Sequence, residues 1–325
     1  MPLQAILLFA LALVLLIKGG DWFVQGSVGI AHRLGVPELL IGATVVSIGT
    51  TLPEVMVSAT SAAGGHSQIS YGNAIGSVIC NTALISAITL AVRPGKTDRK
   101  TLFIPVVFFF SAALFYAANA YFFGFFHRAA GIIMLLIFAA YIFLSVRSAK
   151  NGTLEPQSDE EGEEETKTGG LFSDIVWLII GAALIAVGAQ LLVDNGTVIA
   201  AWLGVPESVI GLTFVALGTS LPELVTAIVA LSKGHGALSL GNIIGANLFN
   251  IVLVSGLATV ISPFAVPQGS TVSGYPASLL VEIPLMLFVM LLLTVPALIK
   301  GKLYRWQGIT LLSLYAAFCA FQFMI

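Results

Sequence analysis

Two glutamates, Glu54 and Glu223, stand where carboxylates are costly. Each lies inside an apolar run long enough to cross a bilayer, in the stretches Gly49-Thr-Thr-Leu-Pro-Glu and Gly218-Thr-Ser-Leu-Pro-Glu. A charged side chain at that depth costs roughly 3 kcal/mol or more, and such residues mark ion pathways and proton relays. The two stretches are copies of one another. Gly42-Ala-Thr-Val-Val-Ser-Ile-Gly-Thr-Thr-Leu-Pro-Glu-Val-Met recurs, displaced by 169 residues, as Gly211-Leu-Thr-Phe-Val-Ala-Leu-Gly-Thr-Ser-Leu-Pro-Glu-Leu-Val. Two carboxylates in matching copies predict one shared site, with a cation as the partner.

The neighbouring residues supply hard oxygen atoms. Ser47, Thr51, Glu54 and Ser58 follow helical steps of 4, 3 and 4 and fall within roughly 60° of one another on a helix. Pro53 has no N–H for the Gly49 carbonyl and is expected to open that turn, freeing carbonyl oxygens one turn from Glu54. The second copy repeats the pattern with Gly218, Thr219, Ser220, Pro222 and Glu223. Downstream, Asn73, Ser77 and Asn81 share one helical face, answered by Asn242, Ala246 and Asn250. Carboxylate, hydroxyl, amide and carbonyl ligands suit Ca2+, Na+ or Mg2+ and disfavour zinc or copper. The pair of charges balances one Ca2+ or two monovalent cations, a physical basis for exchange. Glu54 and Glu223 are taken as the only carboxylates inside the membrane. The glycines Gly72, Gly76, Gly241 and Gly245 are assigned to close helix packing, a role that cannot explain a mid-membrane glutamate. His66 and His235 are expected in solvent, and Asp21 in an i, i+3 pair with Lys18.

The elements that must position these groups are membrane helices. Of 325 residues 58% are hydrophobic and 9% charged, with a mean hydropathy of +1.00. A soluble domain carries about 25% charged residues, so this is an all-α membrane protein. At about 20 apolar residues per crossing, ten transmembrane helices are predicted over Leu3–Gln25, Leu39–Ala63, Ile69–Ala91, Leu102–Phe122 and Ala129–Val146, then Ile175–Val198, Ser208–Leu231, Leu238–Ile261, Ser278–Ile299 and Gln307–Phe323. The first lacks a basic leader and a cleavage signature, so it is expected to be retained. Cys80 and Cys319 lie in apolar stretches and are expected as free thiols.

All Lys and Arg residues except Lys18 and Arg128 fall in the connections after odd-numbered spans. Cytoplasmic connections are enriched in these residues, which predicts both termini on the periplasmic side. Five spans per half then place the two halves as inverted repeats. The same displacement relates Leu34-Gly-Val-Pro-Glu to Leu203-Gly-Val-Pro-Glu, Gly72-Asn-Ala-Ile-Gly-Ser to Gly241-Asn-Ile-Ile-Gly-Ala, and His66 to His235. The organisation is therefore a first five-helix repeat (1–147), an acidic cytoplasmic linker (148–172) with seven carboxylates between Glu155 and Glu165, and a second repeat (173–325). The linker has no EF-hand spacing and its composition is that of a solvated segment. No paired catalytic aspartates and no Ser/His set stand within the spans, so an intramembrane protease is not supported and no enzyme activity is expected. Proline-interrupted helices in inverted repeats fit a transporter better than a passive channel.

The paired Gly-Thr-[Thr/Ser]-Leu-Pro-Glu motifs, each followed by Gly-Asn-x-Ile-Gly, resemble the α-repeats of the sodium/calcium exchanger family, within the calcium:cation antiporters. The compact chain looks like a bacterial inner-membrane member. The resemblance implies Na+ and Ca2+ bound alternately at the centre of helices 2, 3, 7 and 8, while helices 1 and 6 slide to open the site to either side. Carried over by position, the ligands are Ser47, Thr50, Thr51, Glu54, Ser77 and Asn81 from the first repeat. The second contributes Ala216, Thr219, Ser220, Glu223 and Asn250, with Ser47 and Ala216 offering backbone carbonyls. Ala246 replaces a serine common in the family. Asn250 replaces an aspartate found in several members, including potassium-dependent ones, and argues against K+ dependence. The implied activity is Ca2+/Na+ antiport, with Ca2+/H+ antiport on the same carboxylates as the alternative. The expected partners are the two ions and the lipid bilayer, with no cofactor, nucleic acid or obligate protein partner.

Overall fold

The computed structural model describes residues 3–150, 170–203, 216–268 and 271–322. The acidic run from Glu155 to Glu165, the second Leu-Gly-Val-Pro-Glu copy beyond Leu203 and the start of the seventh predicted span lie outside the described residues. The chain is nearly all helical. Its helices are α1 (Leu3–Leu34), α2 (Glu38–Ala63), α3 (Ser67–Val92), α4 (Arg99–Phe123) and α5 (Arg128–Lys150), then α6 (Leu171–Trp202), α7 (Leu221–Ser232), α8 (Gly236–Ile261), α9 (Ser278–Lys300) and α10 (Arg305–Gln322). A one-turn helix, Ala216–Thr219, precedes α7. Eight of these helices, all but α7 and α10, are long and apolar enough to cross a membrane. Two-residue strands β1 (Phe125–Phe126) and β2 (Phe264–Ala265) pair antiparallel and join the α4–α5 connection to the α8–α9 connection.

Burial sorts the helices into a centre and a periphery. Of the apolar window in each helix, 83% is buried in α8 and 72% in α3, against 28% in α1 and 22% in α6. The central helices pack through a continuous cluster that includes Ile75, Ile79, Phe109, Tyr116, Phe249 and Met286. Peripheral α1 and α6 run against each other through small residues. A Cβ on Gly26 would lie 2.5 Å from the Asp174 carbonyl, and one on Gly181 2.7 Å from the Phe23 Cα. Glycine is what lets two backbones approach this closely.

The same device brings α2 against α8. A Cβ on Gly42 would sit 2.9 Å from the Asn242 nitrogen, and one on Gly245 2.6 Å from the Ala43 carbonyl. Gly241 is equally enclosed, by the Leu39 backbone. The packing role expected for four glycines therefore holds for Gly241 and Gly245. At Gly72 and Gly76 a Cβ would meet no described residue within 4 Å, so no such packing contact is seen there among the described residues.

Three other sequence expectations are corrected. Asp21 pairs across the molecule with Lys233 at 3.1 Å rather than with Lys18, because α7 ends beside α1. His235 is not in solvent: its Nδ1 lies 2.9 Å from Glu38 Oε1, a carboxylate that also has His32 at 3.9 Å. His66 is exposed as expected. Glu54 and Glu223 are not the only carboxylates within the helices, since Glu282 stands in the first turn of α9 and accepts a hydrogen bond from Gln322 at 3.1 Å.

Candidate cation-binding site

The helices that carry the candidate residues, α2, α3, α7 and α8, pack on one another, and their backbone departs from regular α-helix in related places. Wide π turns begin at Asn81 in α3 and at Asn250 in α8, residues that match under the 169-residue displacement. Such turns are often found at functional sites. Gly65 and Gly234, also in register, take left-handed φ values of +80° and +88° just before the helix-starting His66 and His235. Pro53 behaves differently from expectation. The helix continues through it to Ala63, with a π turn over Gly42–Val46 upstream. The break occurs only in the second copy, at Ser220, after which α7 starts afresh with Pro222 in its first turn.

Glu54 and Glu223 are both fully buried, and neither joins an ion pair among the described residues. They face one another across the α2–α7 contact: Thr51, one turn before Glu54, donates a long hydrogen bond of 3.5 Å to Glu223 Oε1. Both oxygens of Glu54 and Oε2 of Glu223 have no hydrogen-bond partner among the described residues. The same holds for both polar atoms of Asn81 and of Asn250, and for the Ser220 hydroxyl. Buried polar atoms are normally satisfied, so this concentration of carboxylate and amide oxygen marks a place for a ligand. Among the described residues no group of three or more His, Cys, Asp or Glu side chains stands together as a metal cluster. The acidic component is therefore a pair of carboxylates, completed by neutral oxygens, and the donor set fits a hard cation.

The remaining sequence candidates divide by what they touch. Ser47 donates to the carbonyls of Gly42 and Asn242, at 2.7 and 2.9 Å, and Thr50 donates to Asn242 Oδ1 at 3.1 Å. Their hydroxyl protons are thus committed to holding α2 on α8. Thr219 donates to Asn73 Oδ1 at 3.3 Å. Ser77 is buried on α3. Ala216 opens the one-turn helix before α7. Ala246, at the position matching Ser77, is fully buried and brings no hydroxyl.

Asn73 and Asn242 matter more than their place outside the ligand set suggested. Asn73 Nδ2 donates to the Glu54 carbonyl at 3.1 Å and to Ser58 Oγ at 2.9 Å, fixing α3 to the helical turn that carries Glu54. Asn242 does the equivalent work for Ser47 and Thr50. Their signal was present in the sequence as an in-register pair. Thr226, one turn after Glu223, has a buried hydroxyl with no partner among the described residues; its matching position holds Val57, so the repeat gave no hint of it.

The chain as a whole matches known proteins in sequence and in fold. The family model described as sodium/calcium exchanger protein matches residues 4–147 and 173–324. The chain is 35% identical over 352 residues to the sodium/calcium exchanger MaX1 of Methanosarcina acetivorans, with 98% of each chain covered. It is 35% identical over 283 residues to the inner membrane protein YrbG of Escherichia coli, covering 86% of this chain and 87% of that one. A solved structure of the sodium-calcium exchanger NCX_Mj, soaked with Na+ and Sr2+, superimposes with a TM-score of 0.81 at 33% identity, covering 98% of this chain and 99% of that one. With nearly its whole length matched in sequence and in fold, the chain belongs to the sodium/calcium exchanger family and is a multi-pass membrane antiporter for Ca2+ and a counter-cation.

Proposed function

We propose that the chain exchanges Ca2+ for Na+ across a bacterial inner membrane by alternating access, with the ions bound between α2, α3, α7 and α8. The observation that carries this reading is the facing pair Glu54 and Glu223, fully buried, without cationic side-chain partners among the described residues, and set among the unpartnered oxygens of Asn81, Asn250 and Ser220. Two ionised carboxylates in a dry site need about two positive charges, which one Ca2+ or two Na+ supplies. Thr51, Ser77 and Thr219 add hydroxyl oxygens, and Ser47, Thr50 and Ala216 contribute through the backbones of α2 and of the one-turn helix before α7. The peripheral α1–α6 pair, held together by glycine contacts, is the body that slides against the rest.

Ten crossings in two inverted repeats, with both termini periplasmic, complete the proposal. It is supported by the distribution of Lys and Arg and by the in-register π turns and left-handed glycines of the two halves. Calorimetric titration of Ca2+ into the purified protein tests the site. Stoichiometric binding that Na+ weakens competitively, and that a pH change at constant Na+ leaves largely intact, is expected. Competition by protons alone would transfer the reading to Ca2+/H+ antiport.

A further inference from the structure

Asn250 holds its backbone and its side chain in opposite conditions. Its N–H reaches the Ala246 and Asn247 carbonyls within α8, and its own carbonyl accepts from the backbone N–H of Ser255. Both side-chain polar atoms are buried and have no partner among the described residues. What aims that free amide is the wide turn Asn250–Val254. A π turn holds one residue more than the α-helical repeat, which offsets the helix face beyond it by about 100°. The turn must therefore be held open for the amide to keep its direction.

Ser255 closes the turn and brings a second donor to the same acceptor. Its Oγ donates to the Asn250 carbonyl at 3.0 Å, so hydroxyl and amide of one buried residue meet one carbonyl five positions back. Ser27, Thr82 and Thr294 show the ordinary helical alternative, each donating to the carbonyl four residues before it. The five-residue reach recurs at Ser47, whose N–H and Oγ both find the Gly42 carbonyl at the end of the π turn Gly42–Val46. Ser86, which matches Ser255 under the 169-residue displacement, donates four residues back to Thr82 instead. We propose that Ser255 is a positioning residue for cation binding: its hydroxyl holds the π turn that presents the Asn250 amide to the ion. The proposal rests on the reading of Asn250 as an ion ligand. A carbonyl oxygen has two acceptor sites, and at Asn250 both are taken. The hydroxyl thereby also directs coordination to the side-chain Oδ1.

The test is calorimetric titration of Ca2+ into the purified full-length protein, with the ion-free thermal midpoint measured beside it. Ser255→Ala removes the hydroxyl and leaves the backbone bond in place. Thr294→Val removes a comparably buried helix hydroxyl from α9, where it closes no π turn. Both variants are expected to lower the ion-free midpoint alike, by roughly 2–4 °C. Only Ser255→Ala is expected to raise the Ca2+ Kd, by about tenfold. Asn250→Ala is expected to weaken binding by itself, and adding Ser255→Ala to it is expected to change the Kd by less than about twofold. Three results overturn the positioning role and leave Asn250 a ligand: wild-type affinity in Ser255→Ala, equal affinity losses in Ser255→Ala and Thr294→Val, or a tenfold loss that persists in the Asn250→Ala background. Wild-type affinity in Asn250→Ala overturns the ligand reading, and the proposal with it.

Discussion

Neutralising one carboxylate, by Glu54→Gln or Glu223→Gln, separates folding from ion binding. The glutamates are fully buried and their carboxylate oxygens, apart from the long contact from Thr51, have no partner among the described residues. An amide in place of such a charge removes a desolvation cost from the apo protein, so the ion-free variant is expected to melt at or above the wild-type temperature. With Ca2+ bound the balance reverses, because the divalent ion keeps only half its compensating charge. Breaking a buried charge pair costs about 3–5 kcal/mol, or roughly two to four decades of Ca2+ affinity. Two measurements on one preparation check this: the Ca2+-dependent rise in thermal midpoint, and radioactive Ca2+ uptake into proteoliposomes. Wild type is expected to gain about 2.7 kcal/mol at a hundred times its Kd, while each variant gains less than about 0.5 kcal/mol at that concentration and does not transport. A variant that folds and takes up Ca2+ at the wild-type rate would refute the assignment of that glutamate as a ligand.

Asn250→Asp adds a third carboxylate beside Glu54 and Glu223 and is expected to change cation selectivity, either by creating sensitivity to K+ or H+ or by holding Ca2+ too tightly for turnover. Uptake assays with and without K+ and across pH check it, and an unchanged profile would place Asn250 outside the ion's contacts. Gly245→Leu, whose Cβ would lie 2.6 Å from the Ala43 carbonyl, is expected to force α2 from α8 and cost more than about 3 kcal/mol. Gly76→Ala, with no described residue within 4 Å of the added Cβ, is expected to stay within about 0.5 kcal/mol of wild type; equal effects in thermal melts would contradict the packing assignment. Reporter fusions at Arg99 and Lys150 are expected to report cytoplasm and a C-terminal fusion periplasm. A cytoplasmic C-terminus would remove the inverted arrangement.

The parts of the molecule visible in the sequence are those fixed by long-range solvent logic. A bilayer tolerates an uncompensated carboxylate only at a site, so Glu54 and Glu223 stand out from their apolar surroundings alone. The apolar runs likewise anticipate the ends of α2, α3, α4, α8 and α9 within about three residues. The observed α1 is longer, running to Leu34, because His32 and Arg33 find Glu38 and Asp174 as partners and the helix need not end at the membrane surface. What stayed hidden depends on which helix faces which. Gly72 and Gly241 occupy matching positions, yet one meets no described residue and the other the Leu39 backbone, since α8 is enclosed and α3 less so. The pairing of Asp21 with Lys233, and of Glu38 with His235, joins residues about two hundred positions apart, where local spacing carries no information. Pro53 misled for a local reason: a helix can lose a single hydrogen bond without ending.

Coupling is tested most directly in proteoliposomes loaded with Na+ and diluted into Na+-free buffer containing radioactive Ca2+, with the pH clamped equal on both sides. Two carboxylates that trade one divalent ion for Na+ predict uphill Ca2+ accumulation that collapses when the Na+ gradient is removed and reverses when it is inverted. Ca2+ accumulation driven by a pH gradient with Na+ absent, or no uphill movement under any Na+ gradient, would contradict it.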